Sequence, residues 1–145
     1  MKHLHFGVET AGFYGAYWAC AGGSDCAVIA MIGDDPEDRL ARSAAKWLCG
    51  RGVNVLTMSP AKKDYGHHNY PLERVETAIS WLKANGNHKI GIAGASTTGT
   101  LALTAAAMFP DVTLTIAMTP SDFVWQGFMQ GKKDGCKEWP IEGES

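Results

Sequence analysis

Short apolar runs alternate with amphipathic segments along most of this chain. Residues 26–32, CAVIAMI, are continuously apolar, the pattern of a strand buried on both faces. Behind them GDDPEDRLARSAAKWLCGRG predicts a helix. Asp35 suits its N-cap, Pro36 its first position, and Glu37 and Asp38 its positive end. Leu40, Ala44, Trp47 and Leu48 recur at helical spacing, and the glycines at 50 and 52 end the segment. The alternation then repeats. VNVLTM (53–58) predicts a strand, SPAKKDYGHHNY (59–70) a loop, and PLERVETAISWLKANG (71–86) a helix with Leu72, Val75, Ala78, Ile79 and Leu82 on one face. KIGIAGA (89–95) predicts a strand, residues 97–109 a helix stopped by Pro110, and VTLTIAM (112–118) a further strand. HLHFGVE (3–9) and GFYGAYWAC (12–20) predict two earlier strands.

Strands that alternate with helices require crossover connections. The expected fold is therefore α/β, a mostly parallel sheet with helices on both faces. Sites in such sheets form outside the carboxyl ends of the strands. Four connections lie there: 33–35, 59–70, 94–98 and 119–125. The tail 130–145 is Gly-rich and charged and predicts a loop.

A chain of 145 residues fits a single domain. Its 46% apolar and 19% charged content is ordinary for a globular protein, and a net charge of -2 gives no electrostatic reason to expect nucleic acid or an anionic membrane as partner. No run approaches the ~18 apolar residues of a membrane span, and the N-terminus lacks a signal-peptide core, so a cytoplasmic setting is expected. Cys20, Cys26, Cys49 and Cys136 show no CxxC spacing and no histidine at a zinc-finger interval. Reduced thiols are expected, with no metal and no cofactor.

The candidate chemistry centres on GASTTGT, residues 94–100, where the third parallel strand meets a helix of small residues. A serine on a tight strand-to-helix turn can be a nucleophile, and small flanking residues let the backbone reverse. Ser96 has Gly94 two positions before it, but Thr98 stands where G-x-S-x-G carries its second glycine, and Gly99 follows one later. Two other readings compete. The same residues spell a phosphate loop except that Thr100 replaces its lysine, and a serine at a helix start can simply cap it. The strand count favours the nucleophile: two early strands, then strand, helix, strand, helix, strand and elbow is the order of a hydrolase sheet. Thr97 N–H would then be one oxyanion donor. The backbone of Asp34, with Asp35 next in line, would be the other.

The stretch 27–128 resembles the catalytic domain of the bile acid-CoA:amino acid N-acyltransferase and acyl-CoA thioester hydrolase family. Three features carry the resemblance: Pro71-Leu72-Glu73 followed by Ala78 and Trp81-Leu82, the elbow Gly94-Ala95-Ser96, and TPSDFVWQG after the next strand. It implies an α/β-hydrolase fold and a serine nucleophile, with an aspartate and a histidine later in the chain. The substrate would be an ester or acyl thioester, with water or an amine as acceptor. A full hydrolase sheet needs roughly 200 residues or more. The chain therefore looks truncated before the last strands, with acid and base expected beyond Ser145. His67 and His68 are expected to line the substrate site, as are Trp125 and Phe128. Lys62 and Lys63 could meet a CoA phosphate. An incomplete sheet would also allow a non-enzymatic role, with the chain pairing with a second copy or with the missing C-terminal segment.

Overall fold

The computed structural model describes residues 2–59 and 70–118. In chain order the elements are β1 (Leu4–Phe6), α1 (Val8–Ala11), β2 (Gly15–Trp18), β3 (Cys26–Met31), α2 (Arg39–Cys49), β4 (Asn54–Met58), α3 (Glu73–Ala84), β5 (Lys89–Ala95), α4 (Thr97–Met108) and β6 (Val112–Met118). The strands form one sheet in the order β1-β2-β4-β3-β5-β6. β1 and β2 run antiparallel, and β3, β4, β5 and β6 are parallel.

The two faces follow from the period of two along each strand. Ile29, Met31, Leu56, Met58, Ile90 and Ile92 share one face, where they meet Val75, Ala78, Ile79 and Leu82 of α3 and Ala102 and Ala105 of α4. Ala16, Trp18, Ala30 and Val55 take the other face, under Ala45 of α2. Helices therefore cover both faces, as the alternation predicts.

Helix α2 differs from expectation in its start. It begins at Arg39, and its N-cap is Asp38, whose Oδ1 accepts from Ala41 N at 2.9 Å. Asp35 instead closes a turn ahead of the helix, where its Oδ1 accepts from Glu37 N at 2.8 Å and its carbonyl accepts from Asp38 N at 3.1 Å. Pro36 is buried in that turn, and its carbonyl accepts from Thr57 Oγ1 at 2.6 Å. The helix buries Ala41 and Ala45, while Leu40 and Trp47 stand 60% and 58% exposed. The indole of Trp18 fills the space between sheet and helix, so the small side chains face inward and the large ones turn out.

The early segments are also shorter than expected. Gly7 ends β1, and residues 8–11 form a single helical turn closed by Gly12 at φ 84°. At the far edge, a register shift between Ile90 and Gly91 flips β6, so that Leu114, Ile116 and Met118 pair with Gly91, Ala93 and Ala95. These three side chains lie on the α2 face beyond the reach of α2 and are exposed.

A polar network fastens the end of the sheet opposite the carboxyl edge. Asn54 Oδ1 accepts from Cys20 N at 2.9 Å, and its amide donates to Ser24 O at 3.1 Å and Asn87 Oδ1 at 2.9 Å. Asn87 in turn donates to Leu82 O and the Tyr17 hydroxyl, each at 3.2 Å. Both asparagines are buried. Asn87→Ala leaves one buried proton of the Asn54 amide without its acceptor, while the Leu82 carbonyl keeps the backbone N–H of residue 87 at 2.9 Å, so urea unfolding should show a loss of about 1–3 kcal/mol.

The turn before α2 is tied to the first strand by Glu37, which accepts from His3 Nε2 and, at 3.1 Å, from His5 Nδ1. An ionised carboxylate only accepts, so the ring nitrogens carry the protons. Burial alone would raise the Glu37 carboxyl, but the bonds and charge of the two histidines outweigh it and hold the group below its ordinary value of 4.5. A depressed carboxyl contributes stability that is present above that value and lost as pH falls through the folded one. In acid titrations followed by circular dichroism, Glu37→Gln should flatten the part of the stability loss that falls below pH 4.5.

Candidate active site

The chain reverses from β5 into α4 within a single residue. Ser96 adopts φ 56°, ψ -117°, and among the described residues it is the only non-glycine with positive φ. L-residues avoid that region, which costs about 1–3 kcal/mol where it is imposed. The reversal brings the first turn of α4 back against the strand end. A Cβ on Gly94 would lie 2.8 Å from Gly99 N and closer still to the Thr98 carbonyl, so only glycine fits there. Ser96 N donates to Met118 O of β6 at 2.8 Å, and Ser96 O accepts the first helical bond from Thr100 N at 3.1 Å.

The Ser96 side chain is exposed and makes no capping bond to the amides of α4, although it holds the N-cap position. The hydroxyl therefore faces outward at the carboxyl edge of the sheet, unbonded to the helix that it precedes. Thr97 is half-buried and opens the helix. Its N–H belongs to the first turn, for which a helix has no internal acceptor, and the positive end of the helix dipole lies there too.

The departure at Thr98 has a structural account. Gly99 takes over the close approach, since a Cβ there would lie 3.0 Å from Met118 O. Thr98 turns its side chain inward and is buried. Its Oγ1 accepts from Ala95 N at 2.9 Å, and its one proton has the carbonyls of Met31 at 2.7 Å and Ala95 at 2.9 Å within reach. Residue spacing gives no sign of this role, because Met31 is far from Thr98 in sequence.

The connection after β3 lies beside the elbow, since Met31 pairs with Gly94. Gly33 turns it at φ 97°, where a Cβ would lie 2.9 Å from Asp38 Cγ. The Asp38 carboxylate draws the connection together. Its Oδ2 accepts from Asp34 N at 2.7 Å and Asp35 N at 3.2 Å, while Oδ1 holds the helix amide. The Asp34 amide, expected from the sequence to be an oxyanion donor, is thus bonded to Asp38 in this structure. The Asp34 side chain is exposed. Asp35 is half-buried, and its Oδ2 accepts from the Tyr14 hydroxyl at 3.1 Å. Burial first, then that bond and the charges of Asp35 and Glu37, push the Tyr14 phenol above its ordinary value. Ser59 Oγ donates to Gly33 O at 3.5 Å, which joins the end of β4 to the same connection.

The described histidines lie away from Ser96. His3 and His5 pair with Glu37. His88 precedes β5 at its amino end, roughly 26 Å away along an extended strand. His67, His68, Trp125 and Phe128, together with Lys62 and Lys63, fall outside the described residues. Among the described residues no group of three or more His, Cys, Asp or Glu side chains is placed to hold a metal ion, and no helix is long and apolar enough to cross a membrane.

No family model and no curated protein matches this chain. Among solved structures it is similar to that of the Pyrococcus furiosus esterase PF2001, with a TM-score of 0.61 and 20% sequence identity over 82% of this chain and 48% of that one. The chain thus spans about half the length of the esterase it matches. At that identity the likeness is one of fold, and with the strand order and the elbow it makes this an α/β-hydrolase-like sheet.

Proposed function

We propose that this chain carries the nucleophile of a serine hydrolase that cleaves an ester or an acyl thioester. The observation that supports this most is the backbone of Ser96: a strained φ of 56° at a strand-to-helix turn, with a hydroxyl that is exposed and caps nothing. A serine serving only the helix would turn its oxygen onto the first amides and would need no strain.

In this reading Ser96 Oγ attacks the substrate carbonyl and passes its proton to a histidine. The negative charge that forms on the carbonyl oxygen is held by Thr97 N–H and the start of α4. The Asp34 amide serves as second donor once it leaves Asp38. Collapse of the tetrahedral species expels the alcohol or thiol, which takes the proton back from the histidine, and leaves an acyl-serine that water hydrolyses. The histidine and its aspartate are assigned to residues outside those the structure describes. His67, His68, Asp35, Trp125 and Phe128 are assigned to the lining of the substrate cleft. The thioester preference rests on the sequence resemblance.

A fluorophosphonate probe tests the assignment. It should add one phosphonyl group to the chain, mapped to Ser96 by peptide mass spectrometry, and none to Ser96→Ala. Labelling that persists in Ser96→Ala, or its absence in the native chain after prolonged incubation, would sink the proposal.

The strain makes a separate prediction. Glycine adopts positive φ freely, so Ser96→Gly should raise stability by about 1 kcal/mol while abolishing labelling. Ser96→Ala keeps the strain and should leave the unfolding midpoint nearly unchanged. Loss of stability in both variants would mark the serine as a structural residue.

A further inference from the structure

We infer that Thr98 is a positioning residue that locks the nucleophile elbow to the connection after β3, so that the two sources of oxyanion donors are held as one unit. The inference rests on the hydrolase reading of Ser96 and adds to it a residue that the G-x-S-x-G pattern would not supply, since glycine has no side chain there.

Three contacts of one buried hydroxyl carry it. Ala95 N donates to Thr98 Oγ1 at 2.9 Å, and Oγ1 lies 2.7 Å from the carbonyl of Met31 and 2.9 Å from that of Ala95. Ala95 is the last residue of β5 and Met31 the last of β3, and these strands are hydrogen-bonded neighbours. With its one proton on the shorter contact, to Met31, the hydroxyl accepts from one strand and donates to the other, so it extends the β3–β5 ladder by a side-chain relay just where both strands leave the sheet. Ser96 follows Ala95 directly. Ile32, Gly33 and Asp34 follow Met31. On the other side, Ser96 N is bonded to Met118 O at 2.8 Å and Gly99 packs on that same carbonyl. The elbow is therefore pinned to β6 through its backbone and to β3 through Thr98 alone among the described side chains.

An oxyanion site needs donors about 2.7–3.1 Å from one oxygen. Thr97 belongs to the elbow and Asp34 to the β3 connection. Their separation depends on whatever joins the two segments, and a misplacement near 1 Å costs on the order of a hundredfold in rate. Valine keeps the shape of threonine and removes the relay.

Hydrogen exchange and probe labelling of the 145-residue chain test this with Thr98→Val and Thr98→Ser. In Thr98→Val, exchange should quicken both at Ala95 and at 32–35, while β4 and α3 keep native protection. The limiting rate of fluorophosphonate labelling at Ser96 should fall about tenfold to a hundredfold with little change in the half-saturating probe concentration. Thr98→Ser, which keeps the hydroxyl, should restore both. Native exchange at 32–35 in Thr98→Val overturns the coupling, whatever the labelling shows. If Thr98→Val does not fold, Thr98→Ala against Thr98→Ser makes the same comparison, and equal exchange at 32–35 in that pair overturns it. Absence of labelling in the native chain overturns the hydrolase reading and leaves the exchange result to decide the coupling.

Discussion

The carboxyl edge of this sheet is governed by one close approach, the carbonyl of Thr98 against the α-carbon of Gly94. No side chain fits between them, so the chain must fold back on itself over a single intervening bend. Ser96 takes the whole of that reversal and is driven to φ 56°. Its oxygen is thereby carried away from the helix it precedes and out to solvent. Strain of this size persists only where the surroundings over-determine it. Here they do: Met118 holds the Ser96 amide, Thr100 holds its carbonyl, and Thr98 holds the residue before it.

The sheet makes the approach possible. β3 lies at its centre, flanked by β4 and β5, and the helices that cover it pack through small residues. Ala102 and Ala105 let α4 lie close to the face bearing Ile90 and Ile92, and Ala41 and Ala45 let α2 lie close to Trp18. The Trp18 indole is itself fixed, since its Nε1 donates to Thr57 Oγ1 at 3.0 Å and that hydroxyl donates on to the Pro36 carbonyl. The turn before α2 is thus hung from the core through Thr57 while Asp38 closes it from within. The connections after β3 and β5 are set by neighbouring strands and meet at the same edge.

Strands buried on both faces were plain in the sequence, because a continuous apolar run has no other economical reading once helices flank it. Residues 89–95 and 112–118 have the bounds expected of them. The start of α2 was ambiguous because the segment DDPED holds several acids that can cap. The choice of Asp38 over Asp35 depends on the left-handed Gly33, which bends the chain so that Asp38 faces the amides behind it. The buried side of α2 was not legible for a different reason. Leu40–Trp47 and Ala41–Ala45 are both helically spaced, and only the bulk of Trp18, from another strand, decides between them. At the elbow, Gly94 and Ser96 were legible because the bend is local. The task of Thr98 was not, because its partner on β3 is distant in sequence and is brought near only by the ladder.

The charges around Ser96 weigh differently on the two oxyanion donors of the proposed hydrolase. Asp34 N–H already donates to a carboxylate at 2.7 Å, and a bond to a charged group is worth about 1.5–3 kcal/mol. A single well-placed oxyanion donor contributes about 2.7–4 kcal/mol in the transition state. Moving the Asp34 amide from Asp38 to a developing oxyanion therefore leaves a gain of only about 1 kcal/mol. It would also leave an aspartate short of one partner beside new negative charge. Thr97 N–H has no such prior claim, for a helix leaves its first amides unbonded, and the α4 dipole favours charge at the same point. In the proposed hydrolase, transition-state stabilisation at this edge would thus fall chiefly on Thr97 and the helix start. On that reading the connection after β3 would contribute in proportion to how readily Asp38 gives up its Oδ2 contacts while keeping Ala41 through Oδ1.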